Sequence, residues 1–421
     1  MSETQTPAAP AATAATVLAR YELEGRDVRS ALRLLRHGRH VLPKEQRRYD
    51  WIVLRHDGAD ARLETNNLEV SVSVALAGAG HDGDDRPIAV PYVALRDAAA
   101  RAKGSAPVIV QCISDGTASV AGGGIAATVR TLPEAEHYPP ILAGSVTFSA
   151  FSAPASSIVG GLETVRRATA EETMRYALRS VLLEVRDGFR GVPIVATDGR
   201  RLHAAVLRDA TVAPEDPAFP GRGSQRRDLL LSPETVAAIC DAWGGRSGAG
   251  VDLVVRSSVS PIRAVLVETV RVRIVARMVD GLFPDYRSIV TDALESQFCG
   301  ATIVDPADAA RSLAALERSI GSLAVWRWTA DSEGFDVHGK DADGATCSAR
   351  IAARGWTEDV VTWGANPRFV REALESGANV LYCARPDKKG KFSRPFVVTT
   401  TPDAAGAAFE LRTIIMPICL D

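Results

Sequence analysis

Five segments of this chain are built alike. VPYVALRDAAARA, APASSIVGGLETV, SPETVAAICDAW, DPADAARSLAAL and NPRFVREALES each place a proline, at 91, 154, 233, 306 and 367, where an apolar 3.6-residue period begins. Proline is tolerated at the first helical position because its missing N–H would have no intrahelical partner there. Ser232, Asp305 and Asn366 stand just before three of these prolines and are good N-caps. A sixth helical segment, RDVRSALRLLRHG, takes Asp27 as its cap and ends at Gly38. Successive prolines lie 63, 79, 73 and 61 residues apart, and several short strands fill each interval. Six helices so spaced imply three similar units of two helices each.

The intervening strands alternate. In VRVRIVARMV, Val270, Val272, Ile274, Ala276 and Met278 share one face, and Arg271, Arg273 and Arg277 the other. That is the period of a half-buried antiparallel strand, repeated in LETNNLEVSVSVAL through Val70, Val72 and Val74. The segment RMVDGLFPDYRSIV (277–290) holds an Asp280-Gly281 turn followed by Phe283-Pro284-Asp285-Tyr286. A weaker relative, RTLPEAEHYPPIL, occupies 130–142. Use of one pattern twice points to architecture more than to chemistry. Domain boundaries are expected just after these segments, near Ala143 and Leu294. That gives an Ala/Pro/Thr-rich disordered tail over 1–17 and domains over 18–143, 144–294 and 295–421. Gly244–Gly250 and Ala213–Asp228 read as loops of the middle domain.

With 421 residues, 46% hydrophobic and 24% charged, the chain has the composition of a soluble protein of two to four domains. Six scattered cysteines (112, 240, 299, 347, 383, 419) include no CxxC pair, which argues against a zinc site or a disulfide framework and fits a reducing cytoplasm. His37 and His40 are the closest histidine pair and read as part of a solvated loop. No metal or other cofactor is expected. The N-terminus lacks the features of a signal peptide, and no run of about 18 apolar residues predicts a membrane span.

A net charge of −2 gives no global attraction to nucleic acid, so any such binding needs a local basic face. Cations do gather on the helices. Val28, Ala31, Leu32 and Leu35 form the apolar face of the first, with Arg29, Arg33 and Arg36 opposite. Arg96 and Lys103, Arg166 and Arg167, Arg311 and Arg318, and Arg368 and Arg371 repeat the pattern. On one helix this is an ordinary solvated face; across most of them it points to phosphate contact without base readout.

EETMRYALRSVLLEV, PIVATDGRRLHAAVL, RMVDGLFPDYRSIV and the terminal LRTIIMPICLD resemble, in order and spacing, the sliding clamp of bacterial replication, the beta subunit of DNA polymerase III. ARLETNNLEVSVSV and RTLPEAEHYP are similar to its first-domain strands, so the resemblance covers about residues 20–421. It implies an α+β DNA-clamp fold: three similar domains, each with two helices inside antiparallel sheets. Two chains would close head to tail into a homodimeric ring around double-stranded DNA, with the basic helices inside. It also implies a non-catalytic processivity factor in the cytoplasm, associated with the nucleoid. DNA polymerase subunits, a clamp loader and repair proteins would dock through short peptides. This chain has no GxxxxGK[ST] loop, so loading would need a separate ATP-driven loader.

The resemblance places the peptide pocket between the second and third domains. It would be formed by Leu178; by Thr197, Gly199, Arg200, Arg201 and Leu202; by Pro284, Ser288 and Ile289; and by Ile414, Met416, Pro417 and Ile418. Leu, Ile, Met and Pro would make an apolar slot, with Arg or Thr at its rim. Alone, TDG would be a tight turn and IIMP a terminal core strand. The chain departs from the family pattern at Ser288 and Cys419, where basic residues are usual, at Arg200, where His is common, and in an extra Asp421. Ala127, in the strand that would pair across the ring interface, is smaller than usual, and RPDKKGKFSRPF (385–396) is longer and more basic. One alternative is a clamp paralogue serving a specialised or mobile-element replication system. Another is a non-ring scaffolding protein. An enzyme using Asp198 and His203 is a third, but residues five apart on an extended strand point to opposite faces.

Overall fold

The structure, a computed structural model, describes residues 16–39, 50–58, 60–131, 147–171, 174, 176–186, 190–213, 226–258, 263–295, 297–320, 325–356, 361–384, 395–400 and 409–416. The 1–15 part of the expected tail, His40, most of 130–142, residues 385–394, and Pro417, Ile418, Cys419 and Asp421 lie outside them. The chain forms two compact units, Met1–Ala143 with Val270–Val275, and Gly144–Thr269 with Ala276–Asp421.

The described helices are α1 (Gly25–Leu35), α2 (Tyr92–Arg101), α3 (Ala155–Val165), α4 (Tyr176–Arg179), α5 (Pro233–Trp243), α6 (Tyr286–Glu295), α7 (Pro306–Ile320) and α8 (Pro367–Glu375). Helices α1 and α2 pack together, as do α3 with α5 and α7 with α8. The expected caps form: Ser232 Oγ accepts from Thr235 N at 3.2 Å, Asp305 Oδ1 from Asp308 N at 2.9 Å and Asn366 Oδ1 from Arg368 N at 3.0 Å. Three starts differ from expectation. Pro91 and Pro154 are the cap residues themselves, one position before their helices. Helix α1 begins three residues earlier than expected, with Glu24 at its cap, so Asp27 sits in its first turn, where its charge faces the positive helix end.

In unit 1 a five-stranded antiparallel sheet runs in the order Gly80–Gly83, Val17–Glu24, Pro107–Ile113, Thr117–Gly122, Ile125–Arg130. A second set orders Val70–Leu76, Asp60–Asn66, Trp51–Asp57, Ile88–Pro91. Val28, Ala31, Leu32 and Leu35 are buried as their period requires, and Val70, Val72 and Val74 are buried too. Val270 precedes its strand, Val272–Arg277, and is exposed, so the alternation starts later than the sequence suggests.

Unit 2 is organised by a twelve-stranded antiparallel sheet. Its order is Arg226–Leu231, Val181–Arg186, Val192–Thr197, Arg201–Leu207, Phe409–Ile415, Phe396–Thr399, Val380–Ala384, Gln297–Ile303, Thr346–Arg354, Gly334–Lys340, Val325–Asp331, Val361–Gly364. The last strand of the chain thus lies beside Arg201–Leu207, and residues of the expected second and third domains share one sheet. Its far half covers an aromatic core. Trp363 stacks between Trp328 and Trp356 at 6.2 and 6.1 Å, and Trp328 Nε1 donates to the Ala365 carbonyl at 3.0 Å. Cys299 faces Cys383 across adjacent strands, and both are buried. Among the described residues no helix is long and apolar enough to cross a membrane.

Candidate functional site

The TDG turn is locked by its own side chains. Asp198 Oδ1 accepts from Arg200 N at 2.8 Å and Arg201 N at 2.9 Å. The Thr197 hydroxyl donates to the Arg201 carbonyl at 2.6 Å and accepts from Gly199 N at 3.1 Å. Gly199 has φ +86°, where a side chain would be strained. The strand leaving this turn pairs with the end of the chain, Leu202 opposite Ile414 and Arg201 opposite Ile415. Met416 N then donates to the Arg200 carbonyl at 2.9 Å.

Leu202 and Ile414 share a buried cluster with Leu182, Val195, Leu230, Val397, Phe283, Tyr286 and Ala293. The FPDY segment therefore packs two aromatic rings, edge to face at 6.3 Å, against the TDG strand and the C-terminal strand. Pro284 and Asp285 face solvent. Behind the rings, the Tyr286 hydroxyl donates to Glu184 Oε2 at 2.6 Å, and the fully buried Glu184 is ion-paired with Arg186 and Arg287. Asp285 accepts from Arg287 N at 3.3 Å and so starts α6. That helix was not expected from the sequence. Its signal was the spacing of Tyr286, Val290, Ala293 and Leu294, an i, i+4, i+7, i+8 face that packs into the cluster. Ser288 and Ile289 point outward.

Leu178 is half-buried in α4, its carbonyl accepting from Ala170 N at 2.9 Å. Its neighbour Ala177 lies 3.7 Å from where a Gly281 Cβ would stand, which sets α4 beside the turn before FPDY. The same segments expose Met174, Tyr176, Leu282, Ile289 and Met416.

Arg201 departs from its expected place at a rim. It is only 4% exposed. It forms a buried ion pair with Glu372, meets Asp198 Oδ2 at 3.2 Å, donates to the Arg167 carbonyl and lies 4.4 Å over the Phe369 ring. Glu372 also accepts from Arg368 Nε at 2.8 Å. Arg200 remains exposed at the turn.

The residues of the enzyme alternative are committed to structure. The Asp198 carboxylate holds the turn, and His203 is buried with Nδ1 3.1 Å from the Thr164 carbonyl. Burial, which penalises the imidazolium, lowers the His203 pKa to about 4 against the partial opposition of the Thr164 hydrogen bond. The unfolded chain takes up this proton first, so stability is complete above the free-histidine range and falls as pH drops from about 6.5 towards 4. Between about pH 7 and about pH 5 the loss should be about 2 kcal/mol. Urea titrations should show that dependence in the native protein and its removal in His203→Leu; an equal pH dependence in both would contradict the assignment.

The helix cations divide. Arg29 is spent on the end of α2, donating to the carbonyls of Ala99 at 2.7 Å, Ala102, and Gly104 at 3.2 Å. Arg371 grips Glu317 with two bonds, 2.9 and 3.2 Å, and reaches Glu375 at 2.7 Å. Arg167 meets Glu375 at 2.6 Å, Arg311 meets Asp308 at 3.0 Å and Arg96 meets Asp97 at 2.7 Å. Burial opposes the charge on Glu375, but bonds from Arg371 and Arg167 prevail and hold its pKa below the usual range. Arg33, Lys103, Arg166 and Arg318 are exposed and form no ion pair among the described residues; Arg36 is exposed too. The spacing of cations on a helix cannot show which acids the fold will bring to them.

Paired helices, antiparallel sheets and a terminal strand zipped onto an internal turn make an α+β fold. The chain has the fold of bacterial DNA polymerase sliding clamps. It superposes on the clamp of Pseudomonas aeruginosa with a TM-score of 0.77 at 16% identity, covering 96% of this chain and 100% of the other. The DNA polymerase III beta subunit of Thermotoga maritima gives 0.72 at 16% identity over 96% and 100%. The beta clamp of H. pylori gives 0.74 at 14% identity over 95% and 100%. No protein-family model and no curated protein sequence matches the chain.

Proposed function

We propose that this chain is a DNA sliding clamp: a non-catalytic processivity factor that encircles duplex DNA as a homodimer and tethers polymerases through a peptide pocket. The observation that carries the reading is a clamp fold over 96% of the chain and the whole of the solved clamp. In this reading the chain has three domains, with boundaries near Ala143 and Leu294, and acts in the cytoplasm at the nucleoid. The strand Ile125–Arg130, at the edge of its sheet among the described residues, is a suitable surface for pairing with a second copy. The surface around the TDG turn, FPDY and Met416 would receive peptides of polymerase subunits, a clamp loader and repair proteins.

The DNA-facing role then falls to Arg33, Arg36, Lys103, Arg166 and Arg318, with Arg29 and Arg371 serving the fold. Light scattering should report a dimer at micromolar concentration. Once loaded, the protein should stay on closed circular DNA and slide off after linearisation. Sequence-independent binding should weaken as salt rises, and Arg33→Glu with Arg36→Glu should weaken it further and reduce the salt slope. A monomer, or equal retention on circular and linear DNA, would overturn the proposal.

A further inference from the structure

We propose that His56, His81 and Asp85 of unit 1 bind a transition-metal dication, zinc above all, which ties the edge strand Gly80–Gly83 to the strand Trp51–Asp57. Spacing along the chain conceals the cluster, because His56 and His81 are 25 residues apart and only His81 and Asp85 are near neighbours. The fold brings one ligand atom from each within 4.8 Å of the others. His56 Nδ1 lies 3.1 Å and His81 Nδ1 3.8 Å from Asp85 Oδ1. Metal bonds of roughly 2.0–2.1 Å in a tetrahedral site put donor atoms about 3.3 Å apart, between these two distances.

The hydrogen bonding favours a cation. His81 Nε2 is 3.2 Å from the Asp84 carbonyl. A carbonyl only accepts, so Nε2 carries a proton and, in the neutral ring, Nδ1 presents its lone pair towards Asp85. An acceptor thus faces a carboxylate, an arrangement that a metal ion resolves. A backbone carbonyl holding the remote nitrogen is also how metal-ligating histidines are oriented. The neighbouring charges are matched without Asp85: Asp84 pairs with Arg86 at 3.1 Å and Arg55 with Glu64 at 3.0 Å. The two imidazoles are sheltered, at 24% and 10% exposed, whereas Asp85 is 79% exposed, which leaves an entry path and a coordination position for water. The rings now stack at 4.3 Å. Binding requires the His56 ring to turn out of the stack so that both lone pairs meet. Two imidazoles and one carboxylate suit zinc, and the exposed position also admits cobalt.

Tag-free protein, stripped with chelator and dialysed, should take up one Zn2+ per chain in calorimetric titration. With Co2+ it should show the visible bands of a four-coordinate ion. His56→Ala and Asp85→Asn should each weaken Zn2+ binding at least tenfold and abolish those bands. Asp85→Asn alters an exposed side chain, and circular dichroism will show that its fold is kept. Absence of uptake by the native chain, or equal uptake by the native chain and both variants, would overturn the proposal and leave a hydrogen-bonded histidine pair.

Discussion

Arg201→Met should destabilise unit 2 by about 3 kcal/mol or more, although the new side chain is of similar length and apolar. The buried Glu372 would lose one partner and keep, among the described residues, only Arg368, and removal of one member of a buried pair typically costs about 3–5 kcal/mol. The Asp198 carboxylate and the Arg167 carbonyl would lose a donor as well. The double variant Arg201→Met, Glu372→Leu should recover most of the loss, because two well-packed apolar groups do about as well as a buried pair. Tryptophan fluorescence in urea is suited to the measurement: five of the six tryptophans, 243, 326, 328, 356 and 363, belong to unit 2. A midpoint unchanged in Arg201→Met would mean that the pair adds nothing. A double variant as unstable as the single one would mean that shape, not charge, sets the cost.

The contrast between Arg201 and Arg200 shows where sequence stops being informative. Both follow the TDG turn, and the turn itself was legible, since Thr, Asp and Gly at that spacing use local hydrogen bonds and a positive φ. Which arginine enters the core depends on strand register and on Glu372, 171 residues away. Helix starts were legible for the same local reason, to within one residue at Pro91 and Pro154. Helix α6 was hidden because its 10 residues carry only a short run of the helical period, directly after the FPDY turn. The fate of Arg29 and Arg371 was hidden because their partners, carbonyls of α2 and Glu317 of α7, come from other helices. The His56–His81–Asp85 cluster was invisible for that reason too: its members meet only through strands that are not neighbours in the chain.

Met416→Ala should weaken binding of a glutamine- and leucine-bearing clamp-binding peptide about thirtyfold or more while leaving the assembly state unchanged. Met416 is 43% exposed, so its truncation leaves little cavity. Its position, by contrast, is well fixed, because Met416 N is tied to the Arg200 carbonyl and Ile414 is packed with Leu202, Phe283 and Tyr286. Because the backbone that carries this side chain is already ordered, less ordering entropy is lost when a partner arrives, which favours a binding hot spot. Truncation of such an anchor costs about 2 kcal/mol or more, roughly thirtyfold in affinity. Ile289→Ser, on the outward face of α6, should weaken the same peptide to a smaller degree, since it alters the flank and not the frame. Calorimetric titration of the peptide into the three proteins, with light scattering on each, separates the contributions. Equal affinity in the native chain and Met416→Ala would remove the surface beside FPDY from the docking role, while a dimer that survives both substitutions would leave the ring proposal standing on its own test.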